Sequence, residues 1–160
     1  MTLFALNILL ALAWAALWGG MGLANLMAGF VLGFFVLRLA RGLIPEGQQG
    51  YFRVLPQTIL LAAYFLKELV KSCIQVARDC IKRDPQLTPT IVHMPLDVKT
   101  DLEIFLVANL ITLTPGTLTL DVAEDRSYLV VHSIYGGDDD ALIADLKAGM
   151  EAHVMKVFHP

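Results

Sequence analysis

From Leu3 to Leu37 the chain carries no Asp, Glu, Lys, Arg or His, and its only strongly polar side chains there are Asn7 and Asn25. A helix facing water needs a polar face, so an uncharged run of this length belongs in hydrocarbon. The first acidic residue is Glu46. A segment with no carboxylate, lysine or histidine also offers no group that relays a proton or holds a cation within a bilayer.

The apolar run extends to Leu43 and is about twice the ~20 residues that one span requires. Gly19-Gly20-Met21-Gly22 falls in its middle, where a tight turn favours residues without a Cβ. The pattern predicts two helices, 3–18 and 24–43, forming a transmembrane hairpin over residues 1–43. A secretory signal peptide does not fit. No basic residue follows Met1, and the apolar stretch is too long for an h-region. Gly29 and Gly33 form a small-xxx-small pattern that favours close packing against a partner helix. Trp14 and Trp18 approach the turn and suit an interfacial belt.

Arg38, Arg41 and Arg53 follow the second predicted span, while the turn between the spans is uncharged. The positive-inside rule therefore puts both ends of the hairpin in the cytoplasm. The charge split agrees: residues 1–84 hold eight Lys and Arg against four acids, and residues 85–160 hold four against eleven. A basic juxtamembrane segment suits an anionic inner leaflet, and the acidic tail suits water. Neither half has the footprint of a nucleic-acid binder.

Residues 44–84 read as a linker followed by a long helix, 54–83. Val54 to Leu66 is apolar apart from Gln57 and Thr58; then Lys67, Lys71, Gln75, Arg78 and Lys82 recur at helical spacing opposite Leu66, Val70, Cys73, Ile74, Ala77 and Ile81. Such a helix lies in the membrane interface, basic face toward headgroups; the rival is a third span emerging at Lys67, with only ~13 apolar residues against the ~20 normally needed. Asp79 is placed to pair with Arg83, and Pro85 and Pro89 close the segment. Cys73 and Cys80 share a face but lie about 10 Å apart along the axis, too far for a disulfide. They read as reduced packing residues.

Residues 85–160 predict a small α/β domain. Thr90 to Met94 is β-rich, Thr100-Asp-Leu-Glu103 is a capping box opening a helix to Leu113, and Pro115-Gly116 closes it. Thr117–Val122 and Tyr128–Tyr135 make a hairpin around Glu124-Asp-Arg126, and Asp138-Asp139-Asp140 opens a last helix, 140–157. The order β-α-β-β-α is a ferredoxin-like sandwich lacking its final strand, which leaves the first strand at an edge flanked by Pro89 and Pro95. That edge either accepts a partner's strand or is guarded by its prolines. The helix from Asp101 is apolar nearly all round, so its second face requires cover from the membrane-proximal helix or another subunit.

Reactive constellations are sparse. The aspartates 138–140 satisfy helix-start amides more simply than they hold a metal. His93 and His132 fall on neighbouring strands without a third ligand. Thr114-Pro-Gly-Thr117 lacks the lysine and spacing of a phosphate loop. No catalytic residue, cofactor site or metal site is assigned.

Ala108-Asn-Leu-Ile-Thr-Leu-Thr-Pro-Gly-Thr-Leu118, with Asp121-Val122, Asp125 and Leu129-Val-Val-His132, resembles the signature of the E-type component of Mrp-type (Mnh, Pha) monovalent cation/proton antiporters. Phe65-Leu-Lys-Glu-Leu69, Lys99-Thr-Asp101 and the N-terminal hydrophobic hairpin extend the resemblance over essentially the whole chain. It implies an accessory subunit of a multisubunit Na+(K+)/H+ antiporter. The location it implies is the bacterial inner membrane, with several spans, a cytoplasmic C-terminal domain, and other subunits and lipid as partners. In that family the ion path belongs to the large subunits. The resemblance marks Asn109, Thr112, Thr114, Pro115, Gly116, Thr117, Asp121 and His132 as structural motif residues. Lys67 and Glu68 are the only ion-path candidates, since they are an adjacent ionisable pair in the disputed helix. A regulatory, membrane-anchored ligand- or metal-binding module is the alternative of a different class.

Overall fold

The computed structural model describes residues 2–44, 50–83 and 87–159. It divides into two compact units, Met1–Leu55 and Pro56–Pro160.

In the first unit α1 is Leu3–Leu17 and α2 is Leu23–Leu39, prolonged by a 3-10 turn over Ala40–Leu43. The glycine turn separates them, with Gly19 at φ 71° and the Asn25 amide donating to the Gly20 carbonyl at 2.9 Å. Both helices are apolar on every side, as a chain in hydrocarbon permits. Leu23–Leu43 is the one described helix long and apolar enough to cross a membrane; Leu3–Leu17, at 15 residues, is shorter. The small-xxx-small pair meets α1 of the same chain. A Cβ on Gly29 would lie 2.9 Å from the Ala11 backbone, and one on Gly33 would run into the Asn7 side chain. That intrachain packing uses the close approach that the sequence offered to a partner helix.

The helix expected over 54–83 is a single α-helix, α3, Tyr51–Ile81, continuous through Pro56. Its expected end at Pro85, like most of the linker before it, lies outside the described residues. Asp79 pairs with Lys82 at 2.7 Å instead of Arg83, because the three-residue step brings that ammonium over its carboxylate. Cys73 and Cys80 are free thiols and both are exposed, so they are not packing residues within this chain.

The second unit carries a three-stranded antiparallel sheet covered on one face by helices. Its elements are β1 (Thr90–Pro95), α4 (Asp101–Leu113), β2 (Thr117–Val122), β3 (Tyr128–Ser133), α5 (Asp139–Leu146) and α6 (Ala152–Phe158). The strand order is β1-β3-β2, which leaves β1 at an edge. Val92 faces Val131 and Met94 faces Leu129 across the β1–β3 ladder. These residues close the core with Ile104, Val107 and Ile111 of α4 and Met150 and Val154 below. A bulge between Thr119 and Asp121 shifts the β2 register.

The last helix is not the uninterrupted one expected over 140–157. A π-helical turn, Lys147–Glu151, separates α5 from α6. Wider turns of this kind open a notch that an α-helix lacks. Here Gly149 sits in it, facing the Tyr64 hydroxyl so closely that a Cβ would collide with it.

Candidate functional site

Three constructions stand out, and each is built from polar groups in an apolar setting. The first is the α4–β2 corner that carries the motif threonines. A helix leaves its last four carbonyls without intrahelical partners. Here hydroxyls take up two of them: Thr114 donates to the Leu110 carbonyl at 2.8 Å and Thr117 to the Ile111 carbonyl at 2.7 Å, while Thr119 donates one turn earlier, to the Ala108 carbonyl at 3.1 Å. The Thr112 hydroxyl accepts from the Thr119 amide at 3.2 Å. Pro115 starts the turn, and Gly116 completes it at φ 96°. Asn109 is exposed and donates to the Phe105 carbonyl at 2.7 Å. Asp121 caps the next amide in the bulge, and His132 Nδ1 lies 3.1 Å from the Thr90 carbonyl on β1. The string of motif residues therefore fastens a helix end to a strand.

The second construction clamps the loop between β1 and α4. Four successive amides end on two buried carboxylates. Asp97 and Val98 donate to Glu151 Oε1 at 2.6 and 3.1 Å. Lys99 and Thr100 donate to Glu103 Oε2 at 3.3 and 2.9 Å, completing the expected capping box. Lys147 Nζ lies 3.1 Å from Glu151 Oε2 and 2.8 Å from Asp97, and His159 Nε2 lies 2.6 Å from Glu103 Oε1. Burial pushes the Glu103 carboxyl up, but the Thr100 amide and hydroxyl, the Lys99 amide and His159 outweigh it and hold its pKa below the usual value. The sequence does not single out Glu151. Nothing local marks it, because the amides it serves are more than fifty residues away in the chain.

The third is the seam between α3 and the sheet unit. Tyr64 stacks on His153 with ring centroids 4.0 Å apart, and the His153 ring lies 2.7 Å from the Gly149 carbonyl. Further along, the Tyr135 hydroxyl donates to Asp79 at 2.8 Å. A cleft of about 530 Å³ lies between these ties, bordered by Glu68, Ser72, Gln75, Thr114 and Asp145 among others. Glu68 is largely covered and pairs with Lys71 at 3.2 Å and, at 3.8 Å, with the solvent-facing Lys67.

Two further expectations meet the geometry. His93 and His132 lie on paired strands, but His93 packs its ring edge against Tyr128 instead of converging on a shared ligand. Among the described residues no group of three metal-ligating side chains comes together. The outer face of α4 keeps Leu102, Phe105 and Leu113 exposed, so α3 does not supply its cover.

In the first unit Asn7 is wholly buried and donates to the Tyr51 hydroxyl at 2.7 Å, while its carbonyl oxygen has no hydrogen-bond partner among the described residues.

An apolar helical pair charged only at Arg38, with a small sheet unit whose polar groups hold loops and helix ends, is the make-up of a membrane-complex subunit. The chain belongs to the Na+/H+ ion antiporter subunit family, whose family model matches residues 7–157. It is 31% identical to the E-type component of the Na(+)/H(+) antiporter of Alkalihalophilus pseudofirmus over 152 residues, 95% of each chain. It is 34% identical to the corresponding E1-type component of Staphylococcus haemolyticus, covering 95% of this chain and 94% of that one. Among solved structures, a chain of the Mrp complex from Dietzia sp. DQ12-45-1b superposes with TM-score 0.51 at 31% identity, covering 64% of this chain and 96% of that one. A chain of the membrane-bound sulfane sulfur reductase, an archaeal respiratory membrane complex, shares the fold at TM-score 0.50 and 24% identity, with 86% of each covered.

Proposed function

We propose that this chain is a structural subunit of a multisubunit Na+(K+)/H+ antiporter of the bacterial inner membrane, needed for assembly and stability and not itself an ion carrier. The observation that carries the reading is the absence of any ionisable side chain from Leu3 to Leu37. A path for Na+ or H+ through hydrocarbon requires such groups. The named relatives are Na(+)/H(+) antiporter components of the same E type, and the similar Dietzia chain belongs to an Mrp complex.

In this reading α1 and α2 insert as a hairpin with both ends cytoplasmic, and α3 lies along the cytoplasmic interface. The unit of β1 to α6 is a ferredoxin-like sandwich without its last strand, standing in the cytoplasm as the domain over 85–160. The exposed Leu102, Phe105 and Leu113 of α4 then meet another subunit. Lys67 and Glu68 serve the interface, not an ion path.

Purification from native membranes in mild detergent tests the assembly role: the chain is expected to emerge with several larger membrane proteins. Reconstituted alone in liposomes it is expected to exchange no sodium for protons. Exchange by the isolated chain, or its recovery only as a lone monomer, overturns the proposal.

A further inference from the structure

Around α3 the side chains fall into three bands when placed at about 100° per residue. Leu61, Tyr64, Glu68, Ser72 and Gln75 face the sheet unit, as their packing and the cleft they border show. Lys67, Lys71, Arg78 and Lys82 fill the next band within about 60° of arc. The three lysine side chains are 73%, 64% and 61% exposed. Beyond them run Leu66, Val70, Ile74 and Ile81, all exposed. The order around the helix is therefore water-side domain, cations, hydrocarbon side chains. Those layers follow one another across the surface of a bilayer, where phosphates separate water from acyl chains.

A groove of about 1000 Å³ follows the cationic band, with Val70 and Ile74 on one wall and Tyr135 on the other. Among the described residues that line it, the one acid is Asp79, already engaged by Lys82 and by the Tyr135 hydroxyl. Glu68, just outside the lining, pairs with Lys71 and Lys67, so four cations stand against two carboxylates and the groove stays net positive.

We propose that this groove binds the phosphodiester of an anionic phospholipid through Lys67, Lys71, Arg78 and Lys82, with the acyl chains laid along Val70 and Ile74. The charge selects an anionic headgroup, and the adjoining apolar wall selects a lipid over a free phosphate or an acidic peptide. The inference rests on α3 lying in the interface, and not on any part the chain takes in antiport.

The test uses the full chain in nanodiscs of phosphatidylcholine and phosphatidylglycerol in equal proportion, released into native mass spectrometry. The chain is expected to retain phosphatidylglycerol in preference to phosphatidylcholine. The fourfold variant Lys67→Gln, Lys71→Gln, Arg78→Gln, Lys82→Gln is expected to lose that retention by roughly tenfold or more. Replacement of the three lysines by arginine should preserve it. In parallel, a fluorophore on Ile74→Cys, in a Cys73→Ser, Cys80→Ser background, reads quenching by acyl-chain spin labels. Strong quenching with phosphatidylglycerol retention unchanged by the fourfold variant overturns the headgroup site while keeping the helix in the interface, and leaves the cations to an acidic protein partner. Absence of quenching overturns both the interfacial helix and the site.

Discussion

The phenol of Tyr135 donates to the Asp79 carboxylate at 2.8 Å, joining the end of β3 to the last turns of α3 across 56 positions of sequence. Lys82 holds Asp79 below the usual carboxylate pKa, with the phenol assisting. Burial, reinforced by the carboxylate it serves, pushes the Tyr135 phenol up to about 12. A group whose pKa is raised by folding stabilises the fold below its unfolded value, near 10, and that contribution disappears as pH rises toward 12. Tyr135→Phe is therefore expected to lower the thermal midpoint at neutral pH, and the gap from the unsubstituted chain should narrow above pH 10. Circular dichroism melts of the two proteins across alkaline pH check this. A gap that widens would refute the tie.

Glu151 accepts from both the Asp97 and Val98 amides, and it is 1% exposed. Glu151→Ala strands both amides and is expected to cost about 1–3 kcal/mol for each one left unsatisfied, read by chemical denaturation of the detergent-solubilised chain. Glu103 adds a pH dependence of fixed sign. Its pKa is lowered on folding, so its stabilisation is full above the ordinary glutamate value of 4.5 and fades as pH falls below it. Glu103→Gln should flatten that acid limb.

Gly149 meets the Tyr64 hydroxyl so closely that there is no room for a Cβ. Alanine normally stabilises a helical position relative to glycine. Here the sign reverses, and Gly149→Ala is expected to cost about 1–3 kcal/mol by overpacking. Removing the hydroxyl in Tyr64→Phe should recover much of that loss, which a double-mutant cycle measures directly.

Gly33 is the corresponding contact in the hairpin, against Asn7. Gly33→Ala is expected to destabilise the α1–α2 pair by about 1–3 kcal/mol. Shortening the obstructing side chain in Gly33→Ala, Asn7→Ala should restore part of it. Thermal melts in detergent, followed by tryptophan fluorescence from Trp14 and Trp18, report the pair.

Much of this molecule is legible from local pattern. The capping box at Thr100 and Glu103 forms as its spacing predicts, and α4 ends at Leu113 as the Pro115-Gly116 turn requires. The strands sit where alternation puts them, except that β3 ends at Ser133 and not at Tyr135, and the long amphipathic helix is continuous. Each depends on residues within a few positions of one another. The departures share a different character. The π turn at Lys147–Glu151 has no local signature, and the residue it sets Gly149 against, Tyr64, lies on a distant helix. Asp79 takes Lys82, three residues on, where the sequence offered Arg83 as well, and its second partner, Tyr135, is brought to it only by the packing of the segment after β3. The motif threonines are recognisable as a string, but their task of donating to carbonyls of α4 emerges only once β2 folds back on it.

By itself the sequence determined that the run from Leu3 to Leu37 is uncharged and apolar, that α3 carries a cationic band beside an apolar one, and that the remainder alternates as a small α/β unit. Hydrophobic periodicity and charge are local properties, written residue by residue. Only the tertiary structure decided which glycines admit a neighbour, which buried carboxylates collect the 97–100 amides, and where the cationic band lies relative to the sheet. Those outcomes depend on contacts between residues far apart in the chain, and the one-dimensional pattern carries no distance between them.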